Sequence, residues 1–321
     1  MQKPRVVLLC PGQGAQAVGM GREWMSGYPA SAQTFAAADE IVDLGDLGPL
    51  TRLCFDGPAE SLNRTDVSQP ALFATAVASY QALLEHWGGV ELQATLGLSL
   101  GEYTALHLAG AFGFKDGLRL VATRGRLMQE AAEASEGGMV ALVGADEEQA
   151  DQLCEQARGD DVLVPANFNS PGQIVVSGSA SACDRAVEVA GTMGLRASRL
   201  SVAGAFHSPL MAPAAEGMAR ALEEVEIQPL NTVVYSNVTG QPHESDNPEL
   251  LKQRLIEQLT SPVRWSEDCS ALAATLAGVA EEDRPQVHEL APGKVLKGLF
   301  RRIDKSVKVT SHDEPDTTPV S

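Results

Sequence analysis

Apolar and polar positions alternate along this chain at two periods. Arg5–Cys10 is apolar after its first residue, the pattern of a strand covered on both faces. It runs into a glycine loop, Pro11-Gly12-Gln13-Gly14-Ala15-Gln16. Helical spacing follows over Ser31–Val42 and over Gln69–Trp87, the second stopped by Gly88-Gly89. Ala94–Leu98 reads as a short buried strand. Leu100–Ala111 reads as a small-residue helix, and Lys115–Ser135 as a long amphipathic helix ended by Gly137-Gly138.

The rhythm then changes. Met139–Val143 reads as a strand and Asp146–Arg158 as a helix capped by Asp146. Strands over Val162–Asn167 and Gln173–Ser177 are joined by an Asn-Ser-Pro-Gly turn. A helix over Ser179–Met193 and a strand over Arg196–Val202 complete a β-α-β-β-α-β order, the ferredoxin-like arrangement. An inserted small subdomain over 137–202 is expected. Past it come helices over Pro209–Glu226, Asn247–Leu259 and Trp265–Ala280, with strands at Thr232–Ser236 and Val287–Leu290. Pro292-Gly293 then opens a basic helix to about Arg302. In the larger part, 1–136 and 203–310, strands alternate with helices. That favours a parallel sheet covered on both faces, with ligands at the carboxyl ends of its strands. The polar stretch 311–321, with its prolines, is expected to be a disordered tail.

Composition narrows the class. The chain has 321 residues, 44% of them apolar and only 5% aromatic, which suits an Ala/Val/Leu-rich α/β enzyme. Its net charge of −18 argues against nucleic acid or an anionic membrane as partner. The five cysteines are scattered, with no Cys-x-x-Cys and no His at metal-ligand spacing. They read as reduced core residues, and no metal is expected. Val6–Cys10 is too short for a signal peptide, no apolar run is long enough to span a bilayer, and no transit segment precedes the first strand. A cytoplasmic protein is expected. The loop Pro11–Gln16 matches neither the P-loop nor the dinucleotide-binding glycine pattern, so nucleotide binding there is rejected.

Candidate chemistry centres on Gly97-Leu98-Ser99-Leu100-Gly101. Between a strand and a helix this Gly-x-Ser-x-Gly run has the form of a nucleophile elbow, with glycines where a Cβ would strike the flanking elements. Ser99 is the candidate nucleophile, and the Leu100 N–H at the helix start is the first candidate oxyanion donor. A base is needed, and the chain has six histidines. His312 lies in the tail, His243 in a polar loop, His86 at a helix end, and His107 two turns along the elbow helix. His207, in the loop Ala203–Pro209, is favoured by its placement. His288, within the last strand, remains the alternative and fits the order Ser…acid…His. Arg124 sits mid-helix beside Gly125. A close backbone approach at Gly125 would turn its guanidinium inward, where it would grip a carboxylated acyl group such as malonyl. Arg119 and Arg126 read as a solvated face.

The loop Pro11–Gln16, the run GLSLGEY, Arg124-Gly125 and Ala205-Phe206-His207-Ser208 together resemble malonyl-CoA:acyl carrier protein transacylases in order and spacing. Asn167–Gln173, Gln258-Leu259 with Pro262-Val263, and Ala291–Lys294 are similar to further motifs of that family, so the resemblance covers about Val6 to Ile303. It implies an α/β-hydrolase-like large subdomain with a ferredoxin-like insert. It implies acylation of Ser99 and a dyad in which His207, not His288, is base and acid, held by the backbone carbonyl of Gln258. It further implies an oxyanion hole from the backbone N–H groups of Gln13 and Leu100, and malonyl carboxylate binding by Arg124. Phe206 would crowd the acyl α-carbon and Asn167 would line the pocket. Many members carry His before the nucleophile where this chain has Leu98, and Leu also occurs there in similar cyanobacterial and plastid enzymes. The implied substrates are malonyl-CoA and acyl carrier protein, for fatty acid synthesis, without metal or bound cofactor. A basic patch of Lys294, Lys297, Arg301, Arg302 and Lys305 would meet the acidic carrier. The alternatives are a trans-acting acyltransferase of a polyketide synthase, a serine esterase or thioesterase, and a non-catalytic carrier-protein scaffold.

Overall fold

A computed structural model describes residues 3–315. Its strands are β1 (Arg5–Cys10), β2 (Glu91–Gly97), β3 (Gly137–Val143), β4 (Leu163–Ser170), β5 (Gln173–Ser179), β6 (Arg196–Arg199), β7 (Val233–Ser236), β8 (Gln241–Pro242), β9 (Gln286–Glu289) and β10 (Val309–Ser311). They form two sheets. The larger runs β10-β9-β1-β2-β7-β8, parallel except for β8, and the smaller runs β4-β5-β3-β6, antiparallel throughout. Written by the order of its own strands, the small sheet is 2-3-1-4, which is the ferredoxin-like order.

The alternation of β1 accounts for its burial on both faces. Val6, Leu8 and Cys10 face one core, with helices Thr65–Trp87, Leu100–Leu108 and Phe114–Glu133. Val7 and Leu9 face the other, with helices Trp265–Ala277 and Val295–Ile303. The small sheet has its own core, in which Val140, Leu142, Ile174 and Val176 meet Ala150, Leu153 and Ala186. Its opposite face, through Met139 and Val175, packs on the large subdomain. The two parts are stitched where Phe168 N–H donates to Val263 O at 2.9 Å and Val263 N–H to Ala166 O at 2.8 Å.

Three differences from the sequence reading have physical causes. The helix expected from Gln69, with Pro70 at its start, begins four residues earlier, at Thr65. Its first turn is held from outside: Thr65 N–H donates to Gln129 Oε1 at 3.1 Å, and Thr65 is fully buried. Short helices at Arg22–Gly27, Leu50–Asp56 and Ala59–Leu62 were not anticipated, being too short to show a period. The stretch expected to be disordered from Ser311 is ordered at its start. Ser311 ends β10, and His312 is buried, stacked on His288 and edge-on to Trp87. Residues 316–321 of that expected tail lie outside the described residues.

Candidate active site

Parallel register delivers the site. Cys10 pairs with Gly97, so β1 and β2 end level, and Thr95 pairs with Val234 of β7. The loops that follow carry Gln13, Ser99 and Asn237 to one edge of the sheet. The elbow glycines are steric requirements. A Cβ on Gly97 would fall 1.9 Å from the Gly101 carbonyl carbon, one on Gly101 2.1 Å from Cys10 O, and one on Gly12 2.2 Å from Leu98 O. Side chains at these points would push apart the strand, the helix and the Gln13 loop.

Ser99 sits at the N-cap of helix Leu100–Leu108 with φ 53° and ψ −103°. Its Oγ lies 2.8 Å from His207 Nε2, and His207 Nδ1 lies 2.8 Å from the backbone oxygen of Gln258. A carbonyl accepts only, so Nδ1 carries the proton and Nε2 presents its lone pair to the Ser99 hydroxyl. Burial, followed by the nearby Arg124 charge, pushes His207 down to about 4. The imidazole is therefore neutral at pH 7. Ser99 and His207 are also the sole non-glycine residues with positive φ among the described residues.

Arg124 is buried, and Gly125 explains how. A Cβ there would come 2.6 Å from Thr65 O, the close approach anticipated from the sequence. The guanidinium donates from Nη1 to Gln69 Oε1 at 2.8 Å, and from Nη2 to Gln258 Oε1 at 2.8 Å and Ser99 Oγ at 3.0 Å. The Tyr103 ring lies 5.4 Å beneath it. Burial lowers its pKa, but a guanidinium stays charged. Arg119 and Arg126 are exposed, and Arg126 pairs with Glu130.

A cavity of about 420 Å³ opens over these atoms, lined in part by Gln13, Leu98, Ser99, Asn167, Phe206 and His207, with Met139 and Val175 from the small sheet. The Gln13 and Leu100 amides have no protein acceptor among the described residues. A wider groove of about 570 Å³ behind helix Phe114–Glu133 holds neither Ser nor His. No His/Cys/Asp/Glu group that could hold a metal occurs among the described residues. His288 is remote from Ser99: its Nδ1 lies 2.8 Å from His312 Nε2, and its ring 5.0 Å from Trp87.

Sequence reasoning missed Asn237, Gln69, Glu102 and His243 as members of this site. Asn237 Oδ1 accepts the Ser99 N–H at 2.7 Å, while Nδ2 donates to Gly97 O and Asp268 Oδ2, each at 2.8 Å. Its one signal was a polar turn after a strand neighbouring the elbow strand. His243, read as a loop residue, has its side chain buried, with its Nε2 2.7 Å from Glu102 Oε1. Gln69 could have been noticed as an amide within an apolar helix.

Comparison with known proteins gives the family and the fold. Residues 7–282 match the family model described as "Acyl transferase domain". The malonyl CoA-acyl carrier protein transacylase of Bacillus subtilis (strain 168) is 39% identical over 317 residues, covering 98% of this chain and 95% of the relative. The protein of the same name from Escherichia coli (strain K12) is 38% identical, covering 95% and 94%. The crystal structure of malonyl-CoA:acyl carrier protein transacylase from Xanthomonas oryzae pv. oryzae is 40% identical with a TM-score of 0.88, covering 98% and 96%. A malonyl-transacylase solved in complex with a type II PKS acyl-carrier protein is 36% identical, also at a TM-score of 0.88, covering 98% and 97%. Similarity at this level over nearly the whole length of both chains shows that the chain belongs to the malonyl CoA-acyl carrier protein transacylase family.

Proposed function

We propose that this protein transfers the malonyl group of malonyl-CoA to the phosphopantetheine thiol of an acyl carrier protein, through a malonyl-Ser99 intermediate, in fatty acid synthesis. The observation that carries the reading is the buried Arg124 guanidinium, 3.0 Å from Ser99 Oγ. Any acyl group on Ser99 has a fixed cation beside it, which favours an acyl chain bearing a carboxylate.

In this mechanism Ser99 Oγ attacks the thioester carbonyl as its proton passes to His207 Nε2. The oxyanion is received by the Gln13 and Leu100 amides, the latter at a helix N-terminus. The C–S bond breaks, His207 returns its proton to the coenzyme A sulfur, and malonyl-Ser99 remains. The carrier thiol then gives its proton to His207, its sulfur attacks the ester, and Ser99 Oγ regains the proton as it leaves. Phe206, beside His207 on the cavity wall, would crowd a branched α-carbon, and Asn167 would line the same cavity. No step calls for a metal or a bound cofactor. The carrier would approach the exposed Lys294, Lys297, Arg301, Arg302 and Lys305. Arg302 also donates to Gln173 Oε1 at 2.8 Å, so this helix bridges the large subdomain and the β4–β5 hairpin. Five buried, free cysteines suit the reducing cytoplasm, the proposed location.

The test is intact-mass measurement after mixing with malonyl-CoA alone. A malonyl adduct on the protein, absent from Ser99→Ala, is expected. Rapid free malonate without an adduct would indicate a hydrolase. The similar transacylase bound to a type II PKS carrier motivates one further comparison. Faster transfer to a polyketide carrier than to a fatty acid carrier would move the pathway assignment.

A further inference from the structure

Behind the reacting atoms lies a layer of buried polar groups that the transfer reaction does not touch. Gln258 joins it to the site. Its Oε1 accepts from Arg124 at 2.8 Å, while its Nε2 donates to Ser99 O at 3.0 Å and to Glu102 Oε2 at 2.5 Å. Its backbone oxygen is the one facing His207. A primary amide has one accepting end and one donating end, so whatever fixes one end dictates the other. Arg124 needs the oxygen. Rotated the other way, the amide would set N–H donors against a guanidinium that has no lone pair to offer.

Glu102 supplies what prevents that rotation. It stands in the first turn of the elbow helix, where a carboxylate is favoured, and only 1% of its side chain is exposed. One oxygen takes the Gln258 N–H and, at 3.3 Å, the Asn237 backbone N–H. The other faces His243 Nε2 at 2.7 Å. His243 follows β8 and is itself anchored, its backbone N–H donating to Val234 O in β7 at 2.8 Å. The chain of contacts runs from the sheet edge through His243, Glu102 and the Gln258 amide to Arg124.

We propose that Glu102 and His243 are positioning residues that fix the Gln258 amide, and with it the guanidinium, and so set the preference for a carboxylated acyl group. This rests on the reading in which Arg124 binds the malonyl carboxylate. Neither residue touches the acyl group. Their effect appears in the selectivity between acyl donors, since only a carboxylated donor uses the arginine.

The experiment measures Ser99 acylation by malonyl-CoA and by acetyl-CoA, with rate and half-saturation resolved separately. The variants are Glu102→Leu, Glu102→Gln, His243→Ala and Arg124→Ala. Loss of a buried hydrogen bond to a charged group predicts that Glu102→Leu lowers the malonyl-to-acetyl ratio roughly 10- to 100-fold. Glu102→Gln still offers an oxygen to Gln258 and should keep a ratio near that of the unaltered protein. His243→Ala should shift the ratio in the same direction as Glu102→Leu, by less. A role in stability alone would slow both donors equally. An unchanged ratio in Glu102→Leu, or in His243→Ala if the leucine variant does not fold, overturns the proposal. Arg124→Ala separates the two ideas: if it keeps the original ratio, the arginine reading fails, and if its ratio collapses while the Glu102 and His243 variants keep theirs, only the positioning proposal does.

Discussion

The pH dependence of Ser99 acylation tests the dyad most directly. His207 must be neutral to take the Ser99 proton, and its pKa is pushed down to about 4 by burial and by the Arg124 charge. At pH 5 a histidine with that pKa is ~90% neutral, whereas one at the ordinary value of about 6.5 is only ~3% neutral. Between pH 7.5 and pH 5 the single-turnover acylation rate should therefore fall by only about a tenth, against roughly 30-fold for an ordinary imidazole. Quenched mixing with malonyl-CoA, read by intact mass, gives that rate before any carrier step. The same shift has a stability cost of defined sign. Once unfolded, His207 takes its proton at about pH 6.5, so below that the unfolded chain binds more protons and stability falls as pH drops toward about 4. Complete loss of the contribution is worth about 3 kcal/mol. His288, also pushed down to about 4 by burial and by His312, adds to the trend in the same direction. Acylation must accordingly be compared within the pH range where thermal melting stays cooperative. A half-maximal rate near pH 6.5 in folded protein would refute the desolvated-base argument.

Three other outcomes follow from the geometry. Gly101→Ala places a Cβ 2.1 Å from the Cys10 carbonyl oxygen, so the elbow must open, and loss of the malonyl adduct with a lowered melting temperature is expected. Arg124→Ala should hydrolyse its residual malonyl-enzyme faster than the unaltered protein, because the ester loses the clamp that holds it away from water. Decay of the adduct by mass at an unchanged rate would contradict this. Charge reversal at Arg301 and Arg302 should raise KM for the carrier protein while leaving acylation by malonyl-CoA unaffected, and steady-state kinetics with each substrate varied in turn decide it.

The large sheet, the insert and the elbow were legible because each rests on local pattern. β1 has the expected bounds, and Asp146 makes a full capping box with Gln149. Ser99, His207 and Arg124 stood out because a strained turn, a loop after a strand and a charge beside glycine are visible within a few residues of chain. The groups that hold them were not visible in that way. Asn237 reaches Ser99 across 138 residues, Gln258 reaches Glu102 across 156, and His243 reaches Glu102 across 141. Each is an ordinary polar residue locally, and only the parallel register of β1, β2 and β7 brings them together. His312 was obscured for the opposite reason. Its polar neighbours suggest solvent, yet its ring fills a gap against Trp87 that only tertiary packing creates.

Backbone strain ties these strands of argument together. The proposed nucleophile and base are both held at positive φ, 53° for Ser99 and 56° for His207, a region that costs a side-chain-bearing residue about 1–3 kcal/mol. Such conformers persist only where the surroundings over-determine them. Around Ser99 the restraint is a pair of side-chain amides: Asn237 accepts its N–H, and Gln258 donates to its C=O. For His207 it is the Gln258 carbonyl on the ring, together with Ser208 Oγ donating to Ala205 O at 2.7 Å in its loop. Gln258 thus restrains nucleophile, base and arginine at once, from a single helix end. A backbone carbonyl can serve where other serine enzymes place a carboxylate because the imidazole is already desolvated and neutral. It needs its tautomer fixed, which the Gln258 carbonyl does without a negative charge, while the nearby Arg124 charge disfavours the imidazolium and keeps the ring neutral.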